Sequence, residues 1–215
     1  MEETIRDIAI WAVPVLLGVI FHEVAHGWVA NKLGDPTAAR LGRLTLNPIP
    51  HIDLFGTILL PAILIVSGAP FVFGYARPVP VNFQNLRRPK QDMIWVALAG
   101  PMTNILLALV SLYILKFADS AAYSAMIATP LALMAQSSVN INVMLAAFNL
   151  FPVPPLDGGR VLVGLLPNPY SAAVARIEPF GFLIIILLLM THTIDVILGP
   201  IVRFILTILG ALLVQ

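Results

Sequence analysis

Gly18-Val-Ile-Phe-His22-Glu23-Val-Ala-His26-Gly-Trp-Val-Ala30 lies inside an apolar run from about Ile8 to Leu33, and the rest of the chain is read outward from it. Residues four apart share one face of a helix, so the imidazoles of His22 and His26 can reach a single tetrahedral metal ion. Glu23 lies about 100° round the same helix, close enough to act on a water at that ion. Ionisable side chains inside a span cost several kcal/mol or more unless they are paired. The competing reading is a chance cluster at a helix end, where polar groups meet water. At 1.5 Å per residue, His26 and His22 lie roughly 10–16 Å from the helix end near Leu33. That depth calls for a metal or a water-filled cavity.

Composition agrees with lipid as the solvent. The chain has 215 residues, 59% hydrophobic and only 11% charged, with a mean hydropathy of +0.94, whereas soluble domains carry roughly 45–50% apolar and ~25% charged residues. A net charge of +1 gives no reason to expect nucleic acid as a partner. Cysteine is absent, which excludes disulfides and thiolate ligation, so any metal must be held by His and carboxylate. The start of the chain is net acidic, with Glu2, Glu3 and Asp7 against Arg6, and no small-residue cleavage pattern follows; residues 1–31 read as a retained helix rather than a leader.

The expected fold is an all-α polytopic membrane protein of about five to six transmembrane helices, with a re-entrant segment and a short membrane-associated β element. Gly34-Asp35-Pro36 stops the first helix. Residues 53–73 are apolar but broken by Gly56, Pro61, Gly68 and Pro70, and both flanks are basic: Lys32, Arg40 and Arg43 before, Arg77, Arg87, Arg88 and Lys90 after. Basic short loops face the cytoplasm, and a segment that starts and ends on one side is a dip, tolerable only against protein or a water-filled cavity. A third apolar helix runs from about Met93 to Phe117 and a fourth from about Leu131 to Phe151, after Pro130. Two more candidates lie near 178–191 and 194–214. The acidic N-terminus then falls outside, and Arg160 and Arg176 fall on the cytoplasmic side. No internal repeat or linker is visible, so residues 1–215 read as one domain, with core motifs within 15–165 and C-terminal helices over 172–215.

A catalytic metal needs a third protein ligand and an open position. The best candidate is Asp157, in Asn149-Leu-Phe-Pro-Val-Pro-Pro-Leu-Asp157-Gly158-Gly159-Arg160. Three prolines prevent a continuous helix there, which would present the carboxylate on a loop facing a pocket. An ordinary N-cap at the start of a helix is the competing reading.

Three pieces of the chain together resemble the site-2 protease family of intramembrane metalloproteases: His22-Glu23-Val24-Ala25-His26, Ala99-Gly100-Pro101 with Asn104, and Asn149 through Gly158. The resemblance covers about residues 15–165. It implies one zinc ion per chain held by His22, His26 and Asp157, with Glu23 as general base. It also implies membrane-spanning proteins as substrates and cleavage within a signalling cascade. The chain departs from better-known members in having no room for a PDZ or CBS domain. The enzyme would sit in the plasma membrane of a prokaryote, multi-pass, with its site reached from the cytoplasm.

Hydrolysis through a tetrahedral intermediate calls for an oxyanion donor, and Asn149, just before the proline break, is the candidate. Asn142 lies seven residues earlier on the same face, and interhelical hydrogen bonding is the usual work of a buried Asn. His51 and Asp53 stand at the mouth of the proposed dip, where an interfacial turn outweighs a role as an alternative ligand pair. Residues 71–82 have β-branched and aromatic character and could offer an edge to an unwound substrate, although Pro78 and Pro80 argue against a full strand. His192 reads as an interfacial residue, and Trp11, Trp28 and Trp95 as interface anchors or packing. A metal-ion transporter would spread its liganding groups along a path; here they are concentrated in one helix and one loop. A silent binder of membrane segments would not need Glu23. A zinc protease acting on prenylated termini would take its third ligand from a distant Glu, for which only Glu178, followed by Pro179, is available.

Overall fold

The computed structural model describes residues 2–69, 74–118 and 125–213, and among these residues every regular element is helical. In chain order they are α1 (Glu2–Leu33), α2 (Thr37–Arg40), α3 (Leu60–Val66), α4 (Pro89–Ala118), α5 (Ala125–Asn149), α6 (Asp157–Leu165), α7 (Tyr170–Ala175), α8 (Glu178–Met190) and α9 (Thr193–Leu213). Backbone polar groups find no partner in lipid, so a chain this apolar must satisfy them within its own helices.

The centre is a three-helix packing of α1, α4 and α5, with α6 laid against α4 and α9 against α5. Small and β-branched side chains dominate the buried contacts: Ala108, Val139 and Val143 meet Leu209, and Ala30 and Val96 meet Leu86. Small residues let helices approach closely where no hydrophobic gain drives them together. The outer surface keeps its large apolar side chains exposed, among them Leu106, Phe117, Phe204 and the three tryptophans Trp11, Trp28 and Trp95. This is the surface of an integral membrane protein.

Among the described residues, four helices are long and apolar enough to cross a bilayer: Ile10–Leu33, Pro89–Ala118, Ala128–Asn149 and Thr193–Ala211. The shortest has 19 residues and reaches about 28 Å, close to the ~30 Å hydrocarbon core. Helix α8 is as apolar but has 13 residues, about 20 Å.

The segment expected to dip begins with Asp53, whose Oδ1 accepts from the Gly56 amide at 2.7 Å. Six residues of wide π-type turn, Leu54–Leu59, lead into the seven of α3. That stretch is about 20 Å long at α-helical rise, shorter than the bilayer core, and its apolar side chains, such as Leu54, Ile63 and Val66, are exposed.

The expected β element is corrected. Among the described residues there is no strand; Gly74–Val81 is extended but unladdered, and Phe71, Val72 and Phe73 lie outside the described residues. Its amides go to scattered partners instead: Tyr75 to the Gly56 carbonyl, Arg77 to the His51 carbonyl and Val79 to the Glu23 carboxylate. Of the intervening residues, Pro78 and Pro80 bring no amide, so on the other edge only Ala76 can donate. Helix α5 also differs from expectation at its start, since it runs through Pro130 from Ala125. The cost is one backbone hydrogen bond near an end.

Candidate metal centre

The His22 and His26 side chains project from the middle of α1 towards α4 and the start of α6. Each ring is oriented by its Nδ1. His26 Nδ1–H donates to the Val96 carbonyl at 2.6 Å; a carbonyl only accepts, so the proton must sit on Nδ1. His22 Nδ1 lies 2.6 Å from Asn104 Oδ1. The Asn104 amide cannot be turned round, because its Nδ2 donates to the Gly18 carbonyl at 3.0 Å. His22 Nδ1 is therefore also a donor, and both Nε2 atoms are left as bare lone pairs.

Those two lone pairs point at the same place as a carboxylate. His22 Nε2 and His26 Nε2 are 2.9 Å apart, and Asp157 Oδ2 lies 3.1 and 3.2 Å from them. All three residues are buried, and Asp157 Oδ2 is a buried atom with no hydrogen-bond partner. Three acceptor atoms converging without a proton between them repel one another unless a cation sits among them. Zn–N bonds of about 2.0–2.1 Å in tetrahedral geometry put ligand atoms about 3.3 Å apart, close to the spacing observed. The donor set, two neutral imidazoles and one carboxylate, also suits zinc.

Gly100 of α4 completes the cradle. A Cβ there would lie 2.6 Å from His22 Nε2 and closer still to His26 Nε2. The helix backbone is thus pressed against the imidazole edges, and any side chain at position 100 would invade the ligand cluster.

Asp157 is the first residue of α6, with Leu156 at the cap position. Asp157 makes no cap hydrogen bond and is not the N-cap of α6; its carboxylate faces the two histidines. Glu23 borders the same cavity, with Oε2 accepting from the Val79 amide at 2.8 Å. Asn149 borders it too, with Nδ2 donating to the Leu145 carbonyl of its own helix at 2.9 Å. The cavity measures about 910 Å³ and is lined by Tyr75, Ala76, Pro78, Val79, Met144, Phe148, Arg160 and the α9 residues Ile194, Leu198 and Val202.

The remaining polar residues take structural places. His51 is buried, with Nε2–H donating to the Thr45 carbonyl at 2.8 Å, and Asp53 caps the π-type turn. Among the described residues the one group of His, Asp or Glu placed to share an ion is His22, His26 and Asp157. His192 is exposed in a left-handed conformation and pairs with Asp195 at 3.0 Å. Glu178 faces Arg160 at 3.8 Å. Sequence reasoning missed Asp35, Gly18 and the Val96 carbonyl. Only Asp35 left a trace, as a carboxylate beside a helix-ending glycine.

Bilayer-length helices closed around two imidazoles and a carboxylate, beside a cavity, define a membrane-embedded metalloprotein. Residues 115–192 match the model of Peptidase family M50. The chain is 37% identical over 190 residues to "Putative zinc metalloprotease YwhC" of Bacillus subtilis, covering 87% of this chain and 83% of that one. It is 31% identical over 181 residues to "Putative zinc metalloprotease Rip2" of Mycolicibacterium smegmatis, covering 84% of this chain and 66% of the relative. A zinc metalloprotease of Methanocaldococcus jannaschii is 26% identical over 164 residues, 75% of this chain and 36% of its own length. No solved structure matches the chain significantly. The chain belongs to peptidase family M50, the site-2 protease family.

Proposed function

We propose that this protein is an intramembrane zinc metalloprotease that hydrolyses peptide bonds in or near transmembrane segments of membrane proteins, in the course of regulated intramembrane proteolysis. The observation that carries the reading is the convergence of His22 Nε2, His26 Nε2 and Asp157 Oδ2, with Asp157 Oδ2 orphaned, on the wall of a cavity that Glu23 also lines. Residues 1–215 act as one metalloprotease domain.

His22, His26 and Asp157 would hold the zinc. Bound zinc supplies Lewis acidity, polarising the scissile carbonyl and lowering the pKa of water at the site towards ~7. Glu23 takes a proton from that water and later returns it to the leaving amine, the work of a positioned general acid–base. The Val79 amide holds the Glu23 carboxylate in place from the extended segment. Asn149 is the oxyanion donor; one N–H of its amide is used within α5 and the other makes no hydrogen bond among the described residues.

A transmembrane substrate must unwind before its amides reach these groups. Ala76 supports a clamp for the unwound stretch: its N–H and C=O make no hydrogen bond among the described residues, while the amides of Tyr75, Arg77 and Val79 are all in use. One exposed peptide unit beside the cavity is enough to pair with a short extended segment. Leu54–Val66 is a re-entrant dip beside the four bilayer-length helices. The basic stretches at 32–43, 77–90 and 160–176 support a site whose mouth opens to the cytoplasmic side of a prokaryotic plasma membrane.

The test is zinc content of detergent-purified protein, wild type beside His22→Ala, with cleavage of a single-span model substrate by wild type and Glu23→Gln. Near one zinc per chain in wild type, lost in His22→Ala, with cleavage abolished by Glu23→Gln while zinc stays, is the expected result. Cleavage indifferent to Glu23→Gln would overturn the mechanism.

A further inference from the structure

The histidine ligands are oriented unequally. His26 is fixed by a backbone carbonyl, Val96, whose position follows from the helix itself. His22 is fixed by a side chain, Asn104 Oδ1, and an amide side chain can present either its oxygen or its nitrogen. What Asn104 presents is set by its other contacts.

Those contacts form a continuous buried line across three helices. Asn104 Nδ2 donates to the Gly18 carbonyl of α1 at 3.0 Å and to Asn142 Oδ1 of α5 at 2.8 Å. Asn142 is pinned in turn, since its Nδ2 donates to the Ser138 carbonyl at 2.9 Å and approaches Ser138 Oγ at 3.2 Å. Ser111 Oγ of α4 then donates to Ser138 Oγ at 2.7 Å. Asn104 and Asn142 are essentially inaccessible, at 0% and 1% exposure, so water cannot replace either partner. A reversed Asn104 would turn its NH2 to His22 Nδ1 and its oxygen to the Gly18 carbonyl and Asn142 Oδ1. Two acceptor–acceptor contacts would replace two hydrogen bonds, and His22 would have to move its proton to Nε2, the atom that faces Asp157.

We propose that Asn104 and Asn142 are positioning residues for the metal: Asn142 and the Gly18 carbonyl lock the Asn104 amide, and Asn104 locks His22 in the Nδ1–H tautomer that leaves Nε2 free for zinc. The inference rests on the zinc-protease reading of the site. It assigns α5 an energetic share in metal binding although none of its residues contributes a ligand. Groups that orient a histidine ligand from behind are typically worth 10–100-fold in metal affinity.

The experiment is a double-mutant cycle on zinc affinity, read by competition with a fluorescent chelator, so that no substrate is needed. Asn104→Leu should weaken zinc 10–100-fold and Asn142→Leu roughly 3–10-fold, with the double variant no weaker than Asn104→Leu alone, because the second residue acts through the first. Asn104→Asp keeps an acceptor for His22 but loses both donations from Nδ2, so it should recover only part of the lost affinity. Nitrogen NMR of the metal-free protein should show His22 protonated on Nδ1 in wild type and shifted towards Nε2 in Asn104→Leu. If Asn104→Leu fails to fold, Asn142→Leu and Asn104→Asp carry the same test. Additive losses, or zinc affinity and His22 tautomer unchanged in Asn104→Leu, would overturn the relay. Undiminished zinc binding by His22→Ala would instead remove the metal-site reading beneath it.

Discussion

Of the buried aspartates beside helix ends, Asp35 and Asp157 have their oxygens treated in opposite ways. Asp35 follows Gly34, whose φ of +118° turns the chain out of α1, and its amide closes the helix on the Ala30 carbonyl at 2.9 Å. Asp35 Oδ2 accepts from the Asn82 amide at 2.7 Å; Oδ1 accepts from Asn85 Nδ2 at 2.9 Å and from Thr37 through both its amide and its hydroxyl. Asp157 has an oxygen with no donor at all, turned towards two imidazole lone pairs. A buried carboxylate matched by donors is an anchor; one pooled with other acceptors is waiting on a cation. Asp35 ties the turn after the extended segment to the end of α1, and so steadies Val79 against Glu23.

The largest expected contrast is in metal binding. Asp157→Asn should weaken zinc by more than about 100-fold, beyond what loss of an orienting group costs, and abolish proteolysis. Asp35→Asn should leave zinc stoichiometry untouched, as elemental analysis of the purified variants would show. Zinc loss in both would mean that the two carboxylates are not distinct in kind.

Gly100→Ala comes next. A methyl group 2.6 Å from His22 Nε2 must displace the ring or the helix, and zinc affinity should fall on the order of 10–100-fold, as for a disturbed orienting contact. Gly210→Ala meets nothing within 4 Å and should keep wild-type affinity in the same chelator assay. Equal effects at the two glycines would sever the metal site from the α1–α4 packing.

Stability should reverse the ranking of the aspartates. Asp35→Ala removes the acceptor of the Asn82 and Thr37 amides and should cost about 1–2 kcal/mol, seen as an earlier unfolding transition in detergent. Burial works against the Asp35 charge, but the hydrogen bonds from Thr37, Asn85 and Asn82 prevail, and its carboxyl lies below its ordinary value. A depressed carboxyl stabilises the fold above the unfolded value of about 3.9 and loses that contribution as pH falls through the folded one. The gap in melting temperature between wild type and Asp35→Asn should therefore be full at pH 7 and shrink below about pH 4. A gap independent of pH would mean that the contacts, not the charge, hold this corner.

Much of the site was legible because its grammar is local. His22, Glu23 and His26 sit within one turn and a half of a single helix, and Asp157 follows a proline run that forces a break. The spans were legible for a similar reason, since hydropathy is a local sum. The rest is set by pairing between distant helices, which hydropathy does not encode. Asn142 read as an ordinary interhelical hydrogen-bonder, and its bond to Asn104 agrees, but nothing in either sequence segment says that the line ends on His22. The extended segment read as a possible strand from its β-branched and aromatic residues. Its partners proved to be the Gly56 and His51 carbonyls and the Glu23 side chain, which no propensity scale anticipates.

The cavity beside Glu23 also sets a scale for what can be cut. A helix about 10 Å across rises 1.5 Å per residue and fills about 120 Å³ for each, so about 910 Å³ admits roughly seven residues, or two turns. A bilayer-crossing segment has about twenty. A cavity of that size matches a short stretch of a span rather than the whole of it. Susceptibility becomes a property of a short window, favouring spans with one weak turn over spans that are weak on average.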